Sequence, residues 1–74
     1  MDTGDIVRIK TRRPDNPNAY GVVRRKITGV DKPAVSVCRL RPDYKDRIRR
    51  SGVMSAGFIT MGYYEDDLEI IEVV

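Results

Sequence analysis

The chain has 74 residues, 41% hydrophobic and 34% charged, with a formal net charge of +3. A chain this short buries only about 60% of its unfolded surface, which implies a single small domain with a thin core and no deep cleft between lobes. Its one Cys and lack of His exclude an intrachain disulfide, a Cys/His zinc site and imidazole catalysis.

Residues 6–10 follow the turn pair Gly4-Asp5. Val7 and Ile9 share one face and Ile6, Arg8 and Lys10 the other, the period of a half-buried strand. Residues 11–19 hold Pro14, Asn16, Pro17 and Asn18, which place them in a loop. Residues 20–30 form the second predicted strand. Gly21 near its start marks a bulge or a close backbone approach. Val23, Arg25 and Ile27 alternate with Val22, Arg24 and Lys26, so strict alternation projects Arg24 and Lys26 together and lets Arg25 snorkel at the rim. A turn over 29–33 leads to a third strand over 34–40. There Val35 and Val37 face one way, and Ala34, Ser36, Cys38 and Leu40 the other.

Residues 41–52 are less regular. Pro42, Asp43 and Asp46 suit a helix start, and Arg47, Arg49, Arg50 and Gly52 suit its end. Only Tyr44 and Ile48 supply an apolar stripe, so the segment reads as a basic loop with at most one or two helical turns. A fourth strand lies within 53–61, around Gly57-Phe58-Ile59-Thr60, and Gly62 ends it. Tyr63 and Tyr64 lead into a 3₁₀ turn at Glu65-Asp66-Asp67. In the last strand Leu68 and Ile70 alternate with Glu69, Ile71 and Val73. The expected core is Val7, Ile9, Val23, Val35, Val37, Phe58, Leu68 and Ile70, with Ile6, Ile71 and Val73 on the outside. Short strands with turn signals about every ten residues predict an all-β fold, a small five-stranded barrel. Closure removes sheet edges, which matters in so small a chain.

The charges are segregated. Residues 8–50 hold all fourteen Lys and Arg but only four acids, a net of +10, whereas residues 51–74 hold five acids and no base. Part of this excess is expected to be neutralised where the acidic last strand lies beside a basic one. The basic side chains expected to form the binding surface are Arg12 and Arg13 in the first loop, Arg24 and Lys26 in the second strand, and Arg39, Arg41, Lys45, Arg47, Arg49 and Arg50 around the 41–50 segment. Arg forms bidentate contacts to phosphate and carboxylate. Tyr20 and Tyr44 lie among these bases and can stack on unpaired nucleobases.

Other constellations are poorer. Glu65, Asp66 and Asp67 are adjacent in a turn, point apart and lack the calcium-loop spacing, so they read as a solvated turn. Cys38 reads as a small buried hydrophobe, since a reactive thiolate needs Arg39 or another cation beside it. Gly52, Gly57 and Gly62 match no phosphate-binding loop and read as bends. The chain has no apolar run longer than three residues, against about eighteen for a membrane span. Its first residues lack the apolar stretch of a signal peptide. With a lone thiol, this predicts a cytoplasmic protein.

Four segments together resemble the SH3-like barrel group: Gly4-Asp5-Ile6-Val7-Arg8-Ile9, Gly21-Val22-Val23, Val35-Ser36-Val37, and Tyr64 through Ile71. The group includes stand-alone SH3-like proteins, KOW-type ribosomal and transcription-factor domains, and a photosystem I accessory subunit. The resemblance spans nearly the whole chain and implies an SH3-like barrel with a short 3₁₀ turn before the last strand. It allows an origin in a phage or mobile element. The chain departs from the peptide-binding SH3 pattern: it lacks Trp and the aromatic stretch that lines a proline-binding groove. The Arg-rich 41–50 segment is also foreign to the group.

These features predict a non-enzymatic binding module, an adaptor for nucleic acid or a nucleoprotein machine of transcription or translation, acting through its Arg-rich face. The alternative is a protein-interaction module that docks on an acidic protein surface. A third reading is a small oligomer joined through the exposed strand residues Ile6, Ile71 and Val73. No metal, cofactor, membrane or small-molecule substrate is expected.

Overall fold

The computed structural model describes residues 1–73; Val74 and the side chain of Phe58, a predicted core member, lie outside the described residues. Five strands, β1 (Ile6–Ile9), β2 (Tyr20–Ile27), β3 (Ala34–Leu40), β4 (Gly57–Tyr64) and β5 (Leu68–Glu72), form one antiparallel sheet in the order β4-β3-β2-β1-β5. One helix, α1 (Tyr44–Ser51), follows β3. The predicted 3₁₀ turn occupies Glu65–Asp67, and others lie at Pro17–Ala19 and Val53–Ser55. The fold is therefore mostly β, as expected. The sheet is not closed: β4 and β5 are its two edges, and no ladder joins them among the described residues.

Val7, Ile9, Val23, Val35, Val37 and Leu68 pack together on the inner face of the sheet, with Met1 and Tyr63 against them. Each such side chain contributes about 1.5–3 kcal/mol by leaving water. Ile70 was expected in this cluster and is not. It pairs with Val7 and so lies on the inner face, but it sits on an edge strand and is 45% exposed.

The opposite face is covered as well. Ile6, Val22, Cys38 and Ala56 form a second buried cluster under Leu40, Tyr44, Ile48 and Val53. Ile6, expected outside, is fully buried for this reason. Residues 44–51 form a full helix of eight residues, slightly over two turns. Tyr44 and Ile48, one turn apart, supply its apolar stripe, and Val53 extends that stripe beyond the helix. Gly52 ends α1 at φ 87°, a conformation that favours glycine, and its N–H donates to Ile48 O at 2.9 Å.

Strict alternation fails in β2. The register shifts between Val23 and Arg25, so that Val23 faces Val37, Arg25 faces Ser36 and Lys26 faces Val35. A bulge of this kind places one extra residue between pairs, here Arg24. Lys26 therefore shares a face with Val35 while Arg24 reaches Cys38 on the other; the two do not project together. Arg25 is exposed on the Ser36 side and does not snorkel beside Val23. Gly62 does not end β4: it pairs with Ser36, and the strand runs on to Tyr64. Gly21 does mark a close approach. A side chain there would overlap Val37 Cγ1 and lie 2.7 Å from the Cys38 carbonyl oxygen.

Leu68 and Ile70 share the inner face but differ in burial, at 3% and 45% exposed. Leu68→Ala is expected to cost about 2–5 kcal/mol in urea unfolding, and Ile70→Ala no more than about 0.5 kcal/mol. Equal losses for the two would contradict this placement.

Candidate functional site

The basic residues do not form one patch. Arg12, Tyr20, Arg39, Arg41 and Tyr44 come together around two adjoining grooves. The first, of about 270 Å³, is lined by Arg12, Asn18, Tyr20, Arg39, Ile59 and Met61, among others. The second, of about 360 Å³, runs between Pro17, Tyr20, Arg39, Arg41, Tyr44 and Ile71. Tyr20 and Arg39 line both. Neither groove has an acidic side chain among its described lining residues.

Local chemistry explains the placement. Tyr20 opens β2, and its hydroxyl donates to Pro14 O at 2.6 Å, tying the ring to the β1–β2 loop. That loop is braced by Arg12 Nη1, which donates to Asn18 O at 2.7 Å, and by Arg8 Nη1, which donates to Arg12 O at 3.1 Å. Arg39 pairs with Gly21 across the β2–β3 ladder, so on that side its partner has no side chain. The N–H of Arg41 donates to Ala56 O at 2.8 Å, which fixes the chain just before Pro42 and α1. Tyr44, in the first turn of α1, packs on the second cluster and also lines the groove.

The other predicted residues lie elsewhere. Arg13 is 87% exposed in the loop and pairs with Asp15 at 3.6 Å. Lys26 lies 3.9 Å from Asp2. Lys45 sits 6.0 Å from the centre of the Tyr44 ring. Arg47 and Arg49 pair with Asp43 and Asp46 on α1, and Arg49 and Arg50 line a separate hollow with Asp46. The expected cross-strand neutralisation is present as Arg8–Glu69, at 3.5 Å between β1 and β5.

Arg24 turns inward. Its Nε donates to Cys38 Sγ at 2.8 Å and its Nη2 to Gly57 O at 3.5 Å, while Thr60 Oγ1 lies 3.0 Å from the same sulfur. The cation beside the thiol is thus Arg24 and not Arg39. Cys38 itself is fully buried, in keeping with a structural role. Two groove residues that strand parity did not single out are Ile59 and Met61, both about half exposed; Ile71, expected on the outside, is likewise exposed and lines the second groove.

Among the described residues, no group of three or more His, Cys, Asp or Glu could hold a metal ion. No helix among them is long and apolar enough to cross a membrane. No protein-family model matches the chain, and no curated protein or solved structure gives a significant match to it.

The titration of Asp43, the residue that precedes α1, is displaced. The hydrogen bond from Arg47 Nε, at 2.9 Å, holds the Asp43 carboxyl below its ordinary value; slight desolvation opposes this, and the Arg47 charge adds to it. A pKa lowered by folding means that the contribution is complete above the unfolded value, about 3.9, and is lost as pH falls through the lower folded one. An NMR titration of the Asp43 carboxyl carbon is expected to show a midpoint below the ordinary Asp range. In Arg47→Ala that midpoint should move up; an unchanged midpoint would refute the pairing.

Proposed function

We propose that the chain is a binding module and not an enzyme, built as an incompletely closed SH3-like barrel. Its partner is single-stranded nucleic acid, met free or within a transcription or translation complex. The strand order and the 3₁₀ turn before β5 support the barrel reading. The observation that carries the function is the groove between Tyr20 and Tyr44, which places two aromatic rings beside Arg39 and Arg41. Sequence-tolerant single-strand binders combine such parts: a basic track for the phosphates and rings on which bases stack. The volume of about 360 Å³ lies within the usual range of binding clefts.

A second reading rests on a different observation. Ile59 and Met61 line the first groove beside Arg12 and Arg39, and apolar side chains next to Arg suit an acidic, partly apolar protein segment.

Fluorescence anisotropy with labelled single-stranded DNA and RNA across a salt series separates the two. Nucleic-acid binding is expected to give log K falling linearly with log salt, by about 0.7 per phosphate neutralised. Arg41→Ala should flatten that slope by about the same amount. Tyr44→Ala should cost about 1–3 kcal/mol with the slope unchanged. Affinity no tighter than about 10⁻⁴ M for every nucleic acid at physiological salt would be only the non-specific level, and would overturn the first reading in favour of the second.

A further inference from the structure

The end of the β2–β3 hairpin away from Arg39 has a different chemistry. Ile27 pairs with Ala34 across β2 and β3, and Ala34 pairs with Tyr64 across β3 and β4. Cross-strand partners share a face. Ala34 is small, and Gly62, two residues before Tyr64 on that face, has no side chain. A hollow of about 330 Å³ opens there among Ile27, Val30, Tyr63, Tyr64 and Asp67. Among the described residues it shares only Tyr63 with the first groove and none with the second.

The backbone around this hollow is tied down. The N–H of Glu65 donates to Pro33 O at 2.9 Å, and the N–H of Lys10 donates to Asp67 O at 2.8 Å. The turn that carries Asp67 is thereby fastened to the β2–β3 loop and to the residue after β1. Asp67 is the one charged residue in the described lining, and no ion pair among the described residues engages its carboxylate. An ammonium group already meets one of the two rings. Lys32 Nζ lies 5.6 Å from the centre of the Tyr64 ring, within the reach of about 6 Å for a cation–π contact. Lys32 has no ion pair among the described residues either, so what it meets is the ring and not a carboxylate.

We propose that this hollow is a cation site that takes a lysine side chain of a protein partner. A lysine lays its alkyl stem along apolar surface and keeps its head in polar surroundings. Ile27 and Val30 suit the stem. The Tyr64 ring and the Asp67 carboxylate suit the head, because the electron-rich face of an aromatic ring attracts a cation and Asp67 adds a negative charge that no other group has claimed. Lys32 shows the kind of cation that the ring accepts. It also competes for the site, since a second ammonium at the same ring is repelled by the first. The acids at Glu65, Asp66 and Asp67 disfavour an anionic ligand at this end of the molecule. The site is opposite in charge to the two grooves, and it stands whether or not they bind nucleic acid.

The test is an NMR titration of the isotope-labelled chain with the capped tripeptide Gly-Lys-Gly, and with Gly-norleucine-Gly as its uncharged counterpart. Shifts are expected to gather at Val30, Tyr63, Tyr64 and Asp67, and with the lysine peptide only. Tyr64→Leu should weaken binding by about two- to fivefold, which corresponds to about 0.5–1 kcal/mol for an exposed cation–π contact, whereas Tyr64→Phe should retain it. Asp67→Asn should weaken it more than Asp66→Asn, which alters an acid of the same turn outside the described lining. Lys32→Gln should tighten it. The substituted positions are all exposed, and circular dichroism melts check that each variant keeps the fold. Equal shifts with the norleucine peptide, equal losses for the two Asp variants, a Lys32→Gln chain that binds no more tightly, or no shift at Tyr64 would each overturn the proposal.

Discussion

The structure depends on the burial of β3 from both sides. Ala34, Val35, Ser36, Val37 and Cys38 are each no more than 6% exposed, so every position of that stretch is covered, whichever face it presents. A sheet in a chain this short ordinarily packs one face and wets the other, and small cores are marginal on that account. Here α1 and the 3₁₀ turn after it close the second face. Two glycines permit the fit. Gly21 on one side and Gly57 on the other bring their backbones against Cys38, where a side chain would collide with Val37 and with the Cys38 Cβ atom.

This arrangement also decides where the basic residues go. β3 leaves the covered region at Arg39, and the chain then passes Arg41 and Pro42 to reach α1. The grooves form where the two-sided packing ends, so their walls combine Arg39 and Arg41 with rings that belong partly to the core. Farther along, the Arg residues of α1 lie beside Asp43 and Asp46 and serve the helix itself. The excess of positive charge in residues 8–50 is thus divided between a groove, a helix and an interior contact at Arg24.

Much of this was legible in the chain. The parity of Val7 and Ile9, of Val35 and Val37, and the position of Leu68 identified the inner face. Gly4-Asp5 and Glu65-Asp66-Asp67 marked their turns. Three features escaped for physical reasons. Period-two counting assumes an unbroken ladder, and the bulge at Arg24 violates it without any Gly or Pro to announce it. The stripe of α1 is only Tyr44 and Ile48, too short to read as a helix until Val53 is seen to extend it. Gly62 reads as a strand end, but it keeps its pairing, and a Cβ atom there would lie 3.1 Å from Ile27 Cδ1. In the site, Tyr20, Tyr44, Arg12, Arg39 and Arg41 were legible as chemistry. Ile59 and Met61 were not, because parity tells which face a side chain takes and not whether anything covers that face.

The ladder between β1 and β5 has a kinetic consequence. The meander β2-β3-β4 joins strands that follow one another along the chain, whereas Ile9 meets Leu68 and Val7 meets Ile70 across nearly its full length. Contacts between distant residues form late, after closer ones have reduced the loop that must be closed. β5 is therefore expected to be the last strand to dock and the first to leave. Each such departure would remove Leu68 from the inner cluster while β3, held between two neighbours, stays in place. Amide protons of β5 should exchange through such local openings, and those of β3 only when the whole molecule unfolds.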